Sequence, residues 1–374
     1  MKSTKLKVAL LALSLGVATV SCEKDTMEEV GNTPSTQSVN NKKGFPELRP
    51  QDTKAAAVET SENLGVLFRN AVAPSECGTT ELTTVQNKYI NAIIKDPIAL
   101  ANNGIYSDLN YYYSYYLADG DQYFGEDGDY TKLMIKRQRE LEKFWDMPVE
   151  IQVNGQHTAT LNDRDKIAEV FETFFGYRVN GVFVPLTTEQ AYEEADYLIS
   201  LNEASPNLPE NPYFATDGFA STNRTIVIGD GLPTWLAETG IDEGIVWTGI
   251  LSHEWAHEVQ FLNRSQWYPN GAAPDPAAAT RYTELEADFM AAYFMTHKRG
   301  ATYNWKRVEE FFDLYFQIGD CGFTSSGHHG TPLQRMEAAR LGYELADSAQ
   351  KQGHILTQQE VHEAFVSVVG SIVD

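Results

Sequence analysis

The stretch Leu251-Ser252-His253-Glu254-Trp255-Ala256-His257-Glu258 constrains this chain more than any other. It places His-Glu-x-x-His inside a segment that reads as a helix from about Asp242 to Leu262, with Ile245, Ile250, Leu251, Val259 and Leu262 on its buried side. On a helix, residues i and i+4 lie one above the other. His253 and His257 can therefore offer two imidazoles to one metal ion. Glu254 lies about 100° round from His253, so it reaches a water beside the ion rather than the ion itself. Two neutral nitrogens and an open position are what a catalytic zinc site requires, and the Glu is then placed as general base.

A second patch follows on the next helix. Asp275-Pro276 reads as an N-cap with proline at the first helical position, and the helix extends to about Lys298, with Gly300 as its stop. On it sits Thr283-Glu284-Leu285-Glu286-Ala287-Asp288. Glu284 and Asp288 share a face, whereas Glu286 points about 200° away from Glu284. Glu284 is thus the candidate third metal ligand. Asp288 beside it is placed to accept the other N–H of a metal-bound imidazole. Alone, this acidic patch would be a solvated helix face; 27 residues after His257 it reads as the completion of a site.

His253-Glu254-x-x-His257 with Glu284-x-x-x-Asp288 resembles the gluzincin metallopeptidases, and the form Glu-Leu-Glu-Ala-Asp is most similar to the HtpX-type and neutral zinc metallopeptidase groups. A third element agrees: His329 is followed six residues later by Arg335. Thr331 and Gln334 make a capping box there, and Pro332 opens a helix. The resemblance covers roughly residues 225–343 and lacks the long apolar helices of membrane-embedded members. It implies a zincin-like α+β fold: a small mixed sheet, an active-site helix and a mostly helical C-terminal part. It also implies Ile226 to Ile228 as the cleft-edge strand that pairs with an extended peptide.

The implied chemistry is peptide hydrolysis of a peptide or protein substrate, with one Zn2+ ion held by His253, His257 and Glu284. Glu254 takes a proton from a zinc-bound water and delivers it to the leaving amine. Asp288 orients His253. His329, with His328 as the neighbouring alternative, is the candidate donor to the developing oxyanion; Arg335 either pairs structurally or meets a substrate carboxylate. Two alternatives stay open: a non-catalytic surface binding lipoprotein on the same fold, and an aminopeptidase or cell-wall-peptide hydrolase. The first would be expected to lose Glu254 or a ligand; neither is lost.

The N-terminus reads as an export signal. Lys2, Lys5 and Lys7 precede a run from Val8 to Val20 that is too short to span a bilayer. Thr19-Val20-Ser21-Cys22 resembles a bacterial lipoprotein signal, in which Cys22 becomes the lipidated first residue. Glu23-Lys24-Asp25 and Glu28-Glu29 resemble the acidic signals that carry such lipoproteins to the cell surface. The expected location is the outer membrane of a Gram-negative bacterium, with membrane contact through the lipid anchor only. Loss of residues 1–21 removes three lysines and no acid, taking the net charge from −23 to −26. So acidic a chain excludes nucleic acid as a partner, because phosphates would be repelled. Cys77 and Cys321 remain, and in an exported chain an even remainder points to a disulfide or, alternatively, to two buried thiols.

The chain divides into a signal over 1–21, a polar tether over 22–58, a helical region over 59–147 and the zincin-like domain over 148–374. Helical periodicity marks residues 85–94 and 130–145. The run Tyr111 to Tyr116 reads as packed tyrosines or, alternatively, a stacking platform. Asp119 to Asp129 reads as acidic turns without calcium-loop spacing. Beyond Pro148, residues 149–153 alternate as a strand, Asn154-Gly155 signals a hairpin turn, Asp163 caps a helix stopped by Gly176, and residues 188–201 form another helix. Residues 333–350 and 358–369 read as two closing helices.

Overall fold

The computed structural model describes residues 44–50, 58–61, 63, 81–273, 275–317, 330–352 and 354–373. The fold is mixed α+β, with helices packed around two sheets of three strands each. The sheet nearest the motif helix has as its central strand β6 (Thr225–Gly229), every residue of which is buried. β2 (Gln152–Gln156) pairs with it in parallel, from Gln152 opposite Thr225 to Gln156 opposite Gly229. β5 (Gly218–Ser221) pairs with it antiparallel on the other side. A strand flanked on both sides and covered on both faces reads as an unbroken apolar run, as Ile226-Val227-Ile228 does. The expectation that these residues form the cleft edge is therefore corrected: β2 takes one side of β6, and the edge nearer the site belongs to β5.

The expected turn at Asn154-Gly155 is also corrected, since both residues lie inside β2. Asn154 Nδ2 donates to the Ser114 carbonyl at 2.7 Å. Glycine is required at 155 because a Cβ there would stand 2.4 Å from the Tyr123 carbonyl oxygen. The hairpin lies instead at Asn180-Gly181, between β3 (Phe175–Val179) and β4 (Val182–Pro185), where φ is +53° and +81°. Two successive positive φ values are those of the tight turn that matches strand twist. Gly176, expected to stop a helix, sits in β3: α4 (Arg164–Phe174), capped by Asp163 as expected, passes directly into that strand. β1 (Glu47–Leu48) completes this second sheet by pairing with β3. Phe45 stacks on Phe171 with ring centroids 6.1 Å apart. Residues 44–50 are thus docked on the fold, although the sequence places them in the tether; Phe45 and Leu48 give this end of it something to bury.

The helical region comprises α1 (Glu81–Lys95), α2 (Pro97–Tyr112), a π-helical turn over Tyr113–Leu117, and α3 (Thr131–Phe144). Asp96 caps α2 by accepting from the amides of Ile98 and Ala99. The tyrosine run is packed: Tyr111 and Tyr115 meet Phe219, and Tyr112 and Tyr116 meet Phe174. Leu82, Tyr106 and Phe144 belong to the same continuous core as Ile250 and Phe289.

After α5 (Thr188–Ala204) and α6 (Gly231–Ala237) comes the motif helix α7 (Glu243–Trp267), capped by Asp242. It packs on β5, on β6 and on α8 (Pro276–Thr296), which Asp275 caps through the Ala278 amide at 2.8 Å. Every residue of α7 from Ile245 to Gln260 is buried, so it is a central helix without an open face. α9 (Trp305–Gln317), α10 (Pro332–Gln352) and α11 (Gln358–Val373) close the fold. α10 begins with the expected capping box: Gln334 N–H donates to Thr331 Oγ1 and Thr331 N–H to Gln334 Oε1. It lies along α8 so closely that a Cβ on Gly342 would stand 2.1 Å from the Phe289 carbonyl oxygen. No described helix is long and apolar enough to cross a membrane. Cys22, Cys77, Cys321, His328 and His329 lie outside the described residues.

Candidate metal centre

α7 and α8 bring His253, His257 and Glu284 together, with one ligating atom from each lying within 4.8 Å of the others. All three are buried, at 1%, 3% and 3% exposure. His253 Nε2 and His257 Nε2 are 3.1 Å apart. Glu284 stands 3.3 Å from the first through Oε2 and 3.2 Å from the second through Oε1. The i, i+4 spacing on α7 makes the imidazole pair, and the packing of α8 on α7 brings the carboxylate in front of it.

The hydrogen bonds behind the imidazoles decide what their front nitrogens carry. His253 Nδ1 faces Asp288 Oδ1 at 3.1 Å, and a carboxylate can only accept. His257 Nδ1 faces Gln260 Oε1 at 2.8 Å. The Gln260 amide is fixed that way round because its Nε2 donates to the Thr283 carbonyl at 2.8 Å and to Glu286 Oε2 at 3.2 Å. Both Nδ1 atoms therefore donate, and in neutral imidazoles both Nε2 atoms present lone pairs. Two lone pairs and a carboxylate converging at hydrogen-bond distance repel one another unless a cation or proton stands between them.

Asp288 is itself held. Arg335, from the first turn of α10, donates to its Oδ2 from Nε at 2.7 Å and to its Oδ1 from NH2 at 2.9 Å. The same NH2 reaches Glu284 Oε2 at 3.4 Å. A two-pronged guanidinium–carboxylate pair fixes direction as well as charge, so Arg335 sets Asp288 and Asp288 sets His253. Among the described residues, Glu254, Glu284 and Asp288 are three buried carboxylates against the one buried guanidinium of Arg335. A bound divalent cation would supply the missing positive charge.

Burial opposes a charge on His253, but hydrogen bonds to Asp288 and Glu284 outweigh it and push the imidazole up to about 10 in the absence of metal. Burial likewise opposes the charge on Glu284, yet the two imidazoles hold its carboxyl well below the usual range. Burial pushes the Glu254 carboxyl up. One turn on, burial takes Glu258 up to about 8 despite a backbone hydrogen bond from Ser221. Glu254 Oε2 accepts from the Ser61 hydroxyl at 2.9 Å; its Oε1 has no hydrogen-bond partner among the described residues.

Glu286 faces away from Glu284, as its position on α8 requires, and is fully buried. It accepts from Tyr268 and faces His362 Nδ1 at 2.6 Å, and the His362 ring stacks on Trp267. His157, His297 and His354 stand outside the centre; His157 Nδ1 meets Asp230 Oδ2 at 2.6 Å. Gln260 and Ser61 are the residues that the sequence did not single out. Gln260 carried a usable signal, since i+3 from His257 is a neighbouring position on a helix. Ser61 carried none, because its contact with Glu254 joins segments 193 residues apart.

Replacing Asp288 by Asn should weaken metal retention by about 10–100-fold, the usual cost of losing the group that orients a ligating histidine. Chelator competition against the unaltered protein would measure it. An unchanged affinity would show that Asp288 serves only to pair Arg335.

No family model matches the chain, and no curated protein or solved structure matches it either.

Proposed function

We propose that this protein is a zinc-dependent peptidase of zincin-like architecture. The observation that carries the reading is the convergence of His253 Nε2, His257 Nε2 and Glu284, with separations of 3.1, 3.2 and 3.3 Å. Tetrahedral ligands at zinc distances of ~2.0–2.1 Å are separated by about 3.3 Å. Two imidazoles and one carboxylate are also the donor set of catalytic rather than structural zinc. A zinc ion there would lower the pKa of a water and polarise a peptide carbonyl.

The chain's own residues supply the rest. Glu254, on the same helix as the two histidines, accepts the water's proton and passes it to the leaving nitrogen. Its raised pKa suits that task, because a base poised nearer the working pH can both take up and release a proton. Asp288 and Gln260 hold the two imidazoles in the tautomer that faces the ion. The outer edge of β5, beside α7, is where the main chain of an extended peptide would pair. Export as a lipoprotein anchored at Cys22 is part of the same proposal, and it would place the catalytic domain outside the cytoplasm.

The test is elemental analysis of the purified protein beside its action on a mixed peptide library. About one zinc per chain, with cleavage that a chelator abolishes, is the expected result. A metal-free protein would overturn the site; full loading without any cleavage would favour the binding lipoprotein.

A further inference from the structure

The outer edge of β5 is already paired, and the strand that pairs with it is the chain's own. Ser61 N–H donates to the Ala220 carbonyl at 2.6 Å, and Thr222 N–H donates to the Glu59 carbonyl at 2.8 Å. Thr60 and Ser221 face each other between these bonds as an antiparallel bridge. Glu59 N–H donates to Thr222 Oγ1 at 3.0 Å. Further along, Asn63 Nδ2 donates to Asp217 Oδ1 at 3.0 Å. The main-chain pairing thus covers the C-terminal end of β5, and the Asn63 side chain meets the residue before its first.

At Ser61 the ladder changes. In a regular antiparallel pair the Ala220 N–H would bond to the Ser61 carbonyl; here it bonds to Ser61 Oγ at 2.7 Å. The same hydroxyl donates its proton to Glu254 Oε2 at 2.9 Å. One side chain therefore ends the strand pairing and occupies an oxygen of the proposed general base. Ser61 is 8% exposed, so the contact is enclosed. Among the described residues of the segment the main apolar anchor is Val58, against Tyr115, Phe219 and Val227. The segment is held by edge pairing rather than by a core of its own, which makes it displaceable.

We propose that residues 58–61 are a resident inhibitory strand, occupying the docking edge of an extended peptide and capping Glu254 until they are displaced. This rests on the peptidase reading for its consequence, but the occupancy itself can be tested without any cleavage. A tethered strand competes at an effective concentration that reaches the millimolar range for short flexible tethers. A free peptide at micromolar concentration therefore meets a closed edge.

The test uses the full chain with Ser61→Pro, which removes both the N–H to Ala220 and the hydroxyl on Glu254. Ser61→Ala serves as a milder second variant that removes the hydroxyl alone. Both are first compared with the unaltered chain by thermal melting and zinc content. A fluorescent peptide of residues 57–63 is then titrated into each chain, in a Glu254→Gln background so that nothing is cut. The Ser61→Pro chain should bind it at least ten times more tightly than the chain with an intact segment, with Ser61→Ala between them. In the Glu254 background, KM for a library peptide should fall by a similar factor while kcat stays within about twofold, the signature of a competitor removed. Equal binding by all three chains, or none by any, overturns the resident strand. Tenfold tighter binding with no cleavage by any chain supports the strand and overturns the peptidase reading. Cleavage by all three with one KM and equal peptide binding overturns the strand and leaves the peptidase standing.

Discussion

Glu254→Gln is expected to leave zinc content and melting temperature close to those of the unaltered protein and to lower kcat by about 10²–10⁴-fold, the usual range for loss of a positioned general base. The substitution keeps the shape of the side chain. The amide oxygen can still accept from the Ser61 hydroxyl, which meets Oε2 at 2.9 Å. No metal-facing atom is disturbed, because the three groups that converge are His253, His257 and Glu284. What disappears is the capacity to take up and release a proton. Burial already raises the pKa of this carboxyl, so the native group holds a proton more readily than an exposed glutamate. The decisive comparison is single-turnover cleavage and zinc analysis on the same samples. Cleavage within a few-fold of the unaltered protein would exclude Glu254 as the base. Loss of zinc together with activity would instead make it part of the metal's support.

That the candidate metal centre could be anticipated follows from how local its signals are. His253 and His257 share a helix face whatever the fold, and so do Glu284 and Asp288. The caps at Asp163 and Asp275 and the box of Thr331 with Gln334 are satisfied within three residues, and the structure forms each of them. Arg335 was legible as a pairing residue but not its partner, which lies 47 residues away on α8. What misled the reading was nonlocal. Ile226 to Ile228 are apolar enough for an edge or a centre, and only the arrival of β2 from 73 residues earlier makes β6 central. Asn154-Gly155 has the composition of a turn. Its glycine answers instead to the carbonyl of Tyr123 pressing on β2, while an identical pair at 180–181 makes the actual hairpin. Glu286 was legible only as facing away from Glu284, because no local signal announces Tyr268 and His362 as its partners.

Stripping the metal should cost stability, and the cost should grow with pH. A cation at 1,000 times its dissociation constant stabilises the fold by about 4 kcal/mol. For a chain of this size that corresponds to a fall in melting temperature of about 5 °C on chelation. The pH dependence follows from His253. Burial opposes its charge, but in the metal-free site Asp288 and Glu284 outweigh it and keep a proton on the ring up to about 10. That value lies above the unfolded imidazole's. The proton therefore stabilises the metal-free fold fully below the unfolded pKa of ~6.5, and this contribution is lost as pH rises toward about 10. Metal binding must expel the same proton, so affinity should weaken about tenfold for each unit that pH falls between 8 and 6. The two trends run in opposite directions: metal-free protein is favoured by acid, loaded protein by base. The gap in melting temperature between loaded and chelated samples should thus be widest at pH 8 and narrowest at pH 6. Calorimetry on paired samples across that range, with proton release followed by titration in buffers of different ionisation enthalpy, measures both. A gap that stays constant with pH, or no proton released, would mean that His253 is already neutral in the metal-free protein and that Asp288 acts through geometry alone.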